Sequence, residues 1–340
     1  MTYYYIVILL LLSSLFIKGK KGAILGWIAF LLMGLMTIFR GDEVGTDTTA
    51  YLMYNAEHRI EEYIVTGMAY LIANDYINNR SIIYVSGLVT YFFSFLCMRK
   101  YRIDVRYFSL FFFISGFFAM SMNVARQVAA TAIIAYFLPY IFYYNWKKSL
   151  LFFVGCILGA GFHISSLFLV YLYGLRFLHT STKNNQLLIV FLGSAILLNI
   201  IPIDTIMQAF MPDVYQGEYL GATQRNLTVS SLGYLYRILI LFIYAYMSKF
   251  FIYRKDVMLF VFSAIIVNAG IGMNSDVARI FMINSYFIII SSCIVYNSEN
   301  LKKDSILKYL FIFQILMGIS STIVFIQNHP NLNPFEFVHF

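Results

Sequence analysis

The sequence predicts an all-α polytopic integral membrane protein of about 12 transmembrane helices, with outer loops that carry short amphipathic helices. Three observations lead there. Of 340 residues, 61% are hydrophobic and only 12% are charged, whereas a soluble domain carries about 25% charged residues. Apolar runs approaching the ~20 residues needed to cross a hydrocarbon core recur along the chain. Lysine and arginine cluster in every second short connection, the asymmetry that sets the orientation of spanning helices.

The candidate spans are 2–17, 22–39, 81–98, 107–122, 125–144, 149–162, 164–178, 186–201, 231–250, 256–272, 279–297 and 305–326. The first has no basic residue before its apolar run and no small-residue cleavage site after it, so it reads as a retained helix and not a cleaved signal. The short pairs meeting near 123 and 163 read either as tight hairpins or as broken helices. The segments KGKK (18–21), RKYRIDVR (99–106), WKK (146–148), YRK (253–255) and LKK (301–303) share one face under this alternation. That face is assigned to the cytoplasm. Both termini then lie outside, with outer loops at 40–80 and 202–230 and an outer tail at 327–340. The whole chain, 1–340, reads as a single transmembrane domain without internal repeats. Within loop 40–80, the stretch EEYIVTGMAYLIANDYI places Ile64, Met68, Leu71 and Ile72 on one helical face, predicting an amphipathic helix at the interface. Cys97, Cys156 and Cys293 sit in apolar segments and suggest neither a disulfide framework nor a metal site.

The basic residues sort by type. All twelve lysines fall on the inner side. Seven of the twelve arginines fall outside or in the outer half of a helix: Arg40, Arg59, Arg80, Arg126, Arg225, Arg237 and Arg279. Topology does not prefer Arg over Lys, but anion binding does. A guanidinium fork binds phosphate or carboxylate bidentately and is more weakly hydrated than ammonium. The outer face therefore looks built to hold an anion. The alternative is plain ion pairing with the twelve outer acids.

Five stretches carry the candidate chemistry. FRGDEVGTDTTAY (39–51) breaks abruptly from apolar to charged, with Arg40 at the helix end and the acids Asp42, Glu43 and Asp47 close behind, a set that does not favour a divalent cation. SMNVARQVAATA begins a helix with Asn123 just before it and Arg126 and Gln127 in its first turns. An arginine beside free helix N–H groups reinforces anion binding there; snorkelling is the alternative. MNSDVARI repeats the pattern with Asp276 and Arg279, which also fits a local ion pair. Arg237 lies about two turns into a span, a place where charges face a bundle interior or water-filled cavity. His163, in GAGFHISSL, is the histidine nearest a helix core and a candidate general base. No Walker A, HExxH, GxSxG, CxxC or D-x-D motif occurs, so neither a metal nor a cofactor is expected, and nothing points to nucleic acid.

In order along the chain these residues resemble the EpsG/Wzy family of bacterial membrane proteins, which polymerise O-antigens, capsules and exopolysaccharides. The resemblance rests on Arg40, on Gly45 with Asp47, on Tyr51, on Glu62 with Gly67, on Asn123 with Arg126 and Gln127, on Phe162 with His163, and on Asp276 with Arg279. It spans roughly residues 35–290. It implies a GT-C-like, multi-pass protein of the inner membrane, with its active site at the periplasmic or exterior face. It implies glycosyl transfer between undecaprenyl-pyrophosphate-linked repeat units, with a flippase and a chain-length regulator as partners. Under it, Arg126, Arg237 and Arg279 cradle the donor pyrophosphate, joined by Asn123, Gln127, Glu62, Asp276 and Arg225. His163 or Asp47 takes the acceptor proton, Arg40 orients the acid or contacts a phosphate, and Tyr51 and Tyr215 stack on sugars. A ligase acting on lipid-linked glycan would use the same chemistry with another acceptor. A transporter or flippase is the non-enzymatic rival; such proteins often show repeats and midplane charges, whereas here the charges gather at one face.

Overall fold

The computed structural model describes residues 1–45, 47–53, 62–142, 146–174, 246, 282–296, 298–328, 330–332 and 335–338. Among these, every extended element is helical. In order they are α1 (Thr2–Phe16), α2 (Gly19–Ile38), α3 (Thr48–Leu52), α4 (Tyr63–Ala73), α5 (Ser81–Tyr101), α6 (Val105–Ile114), α7 (Phe117–Asn123), α8 (Ala125–Phe137), α9 (Trp146–Phe162), α10 (Met282–Val295), α11 (Ser298–Lys303) and α12 (Ser305–Asn328). Short 3₁₀ segments cover Leu138–Phe142, Ile164–Gly174 and Pro330–Leu332. The chain forms two compact units, Met1–Tyr173 with Ile288–Phe340, and Gly174–Phe287. All that follows concerns the first.

Among the described residues, α2, α5 and α12 are long and apolar enough to cross a membrane. A fourth span results if α6 and α7, bent by 62° at a short break, are one broken crossing. The chain is thus an all-helical membrane protein. Helices α1, α8, α9 and α10 occupy the predicted runs at 2–17, 125–144, 149–162 and 279–297. The predicted run at 107–122 is not continuous: α6 stops at Ser115, and Gly116 takes φ +75° before α7 begins. A Ser–Gly pair is a common cause of such a kink. The run at 164–178 opens as 3₁₀ helix. The runs at 186–201, 231–250 and 256–272 lie outside the described residues.

Small residues set the helix packing, as expected where backbones approach closely. Gly34 lies under the Tyr91 ring and Gly87 under Ile38, which pairs α2 with α5 in opposite directions. Gly26 faces the Arg106 backbone, and Ser109 Oγ donates to the Gly26 carbonyl at 3.2 Å. The C-terminal end of α2 therefore lies beside the N-terminal end of α5. Helix α8 (ARQVAATAIIAYF) is buried from Ala125 through Ala135, the mark of an inner helix, and α5 and α9 flank it.

The amphipathic helix in loop 40–80 exists as α4, but its buried face is rotated from the expected one. Val65 and Ala69 are fully buried, and Met68 and Ile72 pack with Val65 against Tyr51, Ile82, Ile83 and Ala125. Leu71 is exposed, and Ile64 rests on Gly161 of α9. Helix α4 lies against α5 and α9, so protein contacts, and not a membrane surface alone, decide which face turns in.

Candidate functional site

The end of α2 delivers Arg40 into a fully buried position. Its Nε donates to Thr48 Oγ1 at 2.9 Å, and its Nη1 donates to the Thr37 carbonyl at 2.6 Å. Thr48 Oγ1 in turn donates to the Val44 carbonyl at 2.5 Å. Burial pulls the Arg40 pKa down to about 10, with Tyr51 and Asp47 opposing that fall and Arg80 adding to it. The guanidinium is thus still a cation at neutral pH, but a costly one. Thr48, which the sequence reading passed over, holds it; Asp47 acts on it only through its charge.

The loop that follows turns at Gly45, where φ is +93° and a Cβ would collide with the Met122 carbonyl. Only glycine suits both demands. Asp47 precedes α3 and accepts from the Tyr51 hydroxyl at 3.3 Å. Tyr51 is buried, and burial first, then the Asp47 charge, pushes its pKa up to about 12 while Arg126 resists. Asp42 keeps a largely exposed side chain, 63% accessible, and from there pairs with the buried Arg80, whose Nη1 also donates to the Arg40 carbonyl at 2.9 Å.

Arg126 enters from the first turn of α8. Its guanidinium lies 5.0 Å from the centroid of the Tyr51 ring, within cation–π reach. It also forms an ion pair with Glu62, which is fully buried. The other Glu62 oxygen accepts from the Ile164 N–H at 3.4 Å. Both Glu62 oxygens thus have partners within the protein. Asn123 and Gln127 are buried beside it, at 7% and 5% exposure.

His163 sits between α9 and the 3₁₀ segment, half-buried. Its Nδ1 lies 2.7 Å from Ser165 Oγ and accepts from the Ser165 backbone N–H at 3.3 Å. A backbone N–H can only donate, so Nδ1 carries a lone pair and the neutral ring bears its proton on Nε2. In this tautomer the Nδ1 lone pair faces Ser165 and the ring's N–H is at Nε2.

Contacts therefore run in two stretches joined by the Asp47–Thr48 peptide bond: Arg40 to Thr48, and Asp47 to Tyr51, Tyr51 to Arg126, Arg126 to Glu62, and Glu62 to the backbone next to His163. Arg225, Arg237, Asp276 and Arg279 lie outside the described residues, as do Arg59 and Tyr215. What the sequence missed includes Thr48, Ser165 and the C-terminal tail. The Gly41 N–H donates to the Glu336 carbonyl at 2.7 Å, the Val338 N–H to the Phe39 carbonyl at 2.9 Å, and the Gly45 N–H to the Asn331 carbonyl at 2.7 Å. Arg40 and Phe337 form an isolated antiparallel bridge. Among the described residues no group of three or more His, Cys, Asp and Glu is placed to hold a metal ion. The array offers buried cations, a half-exposed carboxylate and a ring N–H around one set of helix ends.

The sequence profile of the EpsG family matches residues 23–337. The chain belongs to the EpsG family. That match takes in the Arg40 loop, the start of α8, His163 and most of the C-terminal tail. No curated protein and no solved structure matches the chain.

Proposed function

We propose that this EpsG-family chain is a polysaccharide polymerase. It joins undecaprenyl-pyrophosphate-linked repeat units at the outer face of a bacterial inner membrane by metal-independent glycosyl transfer. The observation that supports it best is the two stretches of buried contacts, joined by the Asp47–Thr48 peptide bond, that link Arg40, Asp47, Tyr51, Arg126, Glu62 and the His163 turn. Membership of the EpsG family supports a glycosyltransferase of the polymerase type.

In this reading the acceptor hydroxyl oxygen attacks the anomeric carbon of the lipid-linked donor. The new C–O bond forms as the bond from that carbon to pyrophosphate breaks. Asp47, the half-exposed carboxylate, takes the hydroxyl proton. The His163 Nε2–H donates to the departing pyrophosphate oxygen. Arg126, pinned by Glu62 and backed by Tyr51, and Arg40 behind Asp47 set a positive potential where the leaving group's charge develops; donors fixed in advance in a dry site are the strongest form of such stabilisation. Arg225, Arg237, Asp276 and Arg279, which the family resemblance and the charge sorting single out, are further candidates for binding the lipid-linked substrate.

The test is reconstitution of the purified protein with lipid-linked repeat units alone. A ladder of polymer lengths is expected, and Arg126→Lys, which keeps charge but loses the fork, shortens or abolishes it. Movement of the lipid-linked unit across the vesicle without bond formation overturns the reading in favour of a transporter. An unchanged ladder from Arg126→Lys overturns the arginine's role.

A further inference from the structure

We infer that the C-terminal tail, through residues 331–332 and 335–338, is a fixed clamp that positions the Arg40–Tyr51 loop for catalysis; this rests on the polymerase reading of that loop. The loop's own main chain holds it at few points. Between Arg40 and α3 its described internal backbone bonds are Val44 N–H to Gly41 and Thr48 N–H to Gly45, both at 3.1 Å. Helix α3 has only five residues, too few to be stable alone. Two glycines, Gly41 and Gly45, bracket the turn, and glycine loses the most conformational freedom on ordering.

The tail supplies what the loop lacks. Carbonyls of Asn331 and Glu336 accept from those same two glycines, and Val338 donates to Phe39. The tail is itself anchored: Leu332 and Phe335 are buried, and the Tyr4 hydroxyl donates to the Leu332 carbonyl at 2.8 Å. The Tyr3 ring meets Phe335 at 5.6 Å and Phe337 at 5.2 Å, with Phe335 and Phe337 5.1 Å apart. The start of α1 thus holds the tail, and the tail holds the loop. Among the described residues, the bonds from tail to loop use the tail's main chain. Spacing along the tail, and not the identity of Glu336, sets the position of Arg40, Asp47 and Tyr51.

Three variants test this in the full-length protein. Glu336→Ala keeps the carbonyl and keeps activity. Deleting one residue between Leu332 and Phe335 shifts the register; transfer falls about 10–100-fold, the scale of an ångström-level misplacement, chiefly in kcat. Amide exchange in residues 39–52 speeds up while exchange in α5 and α8 does not. The third variant locks the tail. A Cβ on Gly41 would lie 3.4 Å from that of Glu336, close to disulfide spacing. The pair Gly41→Cys with Glu336→Cys, oxidised, stays active within about twofold of its reduced form. Loss of activity on oxidation and recovery on reduction overturns the clamp, because the tail would then be a lid that must lift. Unchanged amide exchange in the deletion variant also overturns it. That second readout needs no activity, so failure of the polymerase reading itself is seen separately, as inactivity of the unmodified protein.

Discussion

The Glu62–Arg126 pair is the most demanding element of the site, and a double-mutant cycle measures it. Glu62 is fully buried and Arg126 is 7% exposed. Glu62→Gln preserves shape and an acceptor for the Ile164 N–H, but leaves the guanidinium with a neutral partner. Removing one member of a buried ion pair costs about 3–5 kcal/mol. The Tyr51 face, 5.0 Å from the guanidinium, offsets roughly 0.5–2 kcal/mol by cation–π attraction. A net loss of about 2–4 kcal/mol is expected for Glu62→Gln, and a similar loss for Arg126→Met, whose carboxylate partner is stranded instead. Glu62→Gln with Arg126→Met strands no charge, so it should be as stable as either single variant or more so. The assay is thermal unfolding in detergent, at low and high salt, alongside polymer yield. A coupling near 3 kcal/mol that survives high salt is expected, since buried pairs are little screened. The double variant should regain stability but no activity. Strict additivity of the two single changes would refute the reasoning, for it would mean that the carboxylate and guanidinium do not sense each other.

Three further outcomes follow from the site. His163→Gln, which offers an N–H near the place of Nε2, should retain more transfer activity than His163→Asn, which can mimic only the Nδ1 acceptor; the reverse order in a transfer assay would make the ring a structural cap. Tyr51→Phe should blunt alkaline unfolding. The folded pKa is raised to about 12 from an ordinary 10.0, so the tyrosine's stabilising contribution is complete below pH 10 and is lost as pH rises towards 12. Melting at pH 9 and pH 11 should show a smaller drop for the variant, and an equal drop would place Tyr51 in water. Gly45→Ala should cost several kcal/mol, since φ +93° and a collision with Met122 add strain of about 1–3 kcal/mol to overpacking of about 1–3 kcal/mol; its yield of folded protein in detergent should collapse.

What was legible in the sequence is what leaves a side-chain signature. Apolar length gave α2, α5 and α12, and the sorting of arginine from lysine singled out Arg40, Arg80 and Arg126 before any contact was known. The order Arg40, Asp47, Tyr51, Arg126, His163 also followed from the family resemblance. Other features leave no such mark. The tail binds through carbonyls of Asn331 and Glu336, and a backbone acceptor looks the same under any side chain. The bend at Gly116 sits in a run of phenylalanines that hydropathy alone reads as one span. The face of α4 turned on Val65 and Ala69, because a small residue can lie against a neighbouring helix where a larger one cannot. His163 was recognisable as a functional candidate, but its role depends on the Ser165 N–H two residues on, and that bond exists only once the 3₁₀ turn is formed.

Arg40 carries the last consequence. Its pKa falls from 12.5 to about 10, and a shift of that size corresponds to roughly 3 kcal/mol against the charged form. A base depressed in the folded state destabilises the protein at every pH below the folded value, and stability rises as pH climbs from about 10 towards 12.5. At neutral pH the full cost is present. The guanidinium bonds of Arg40 to the Thr37 carbonyl and Thr48 Oγ1 offset part of that cost, but Thr48 Oγ1 also donates to Val44, and Arg80, whose charge opposes that of Arg40, would gain from its loss. Arg40→Met should therefore leave the resting protein as stable or up to about 3 kcal/mol more stable at pH 7, and should narrow that gain above pH 10. Transfer should fall by at least about 10²-fold, the scale of one lost charge-stabilising group. Such a split identifies a cation maintained for function against its folding cost. If Arg40→Met instead unfolds the protein and no condition restores it, the guanidinium is a structural bolt between Thr37 and Thr48, and the positive potential at Asp47 must come from other arginines, Arg126 first.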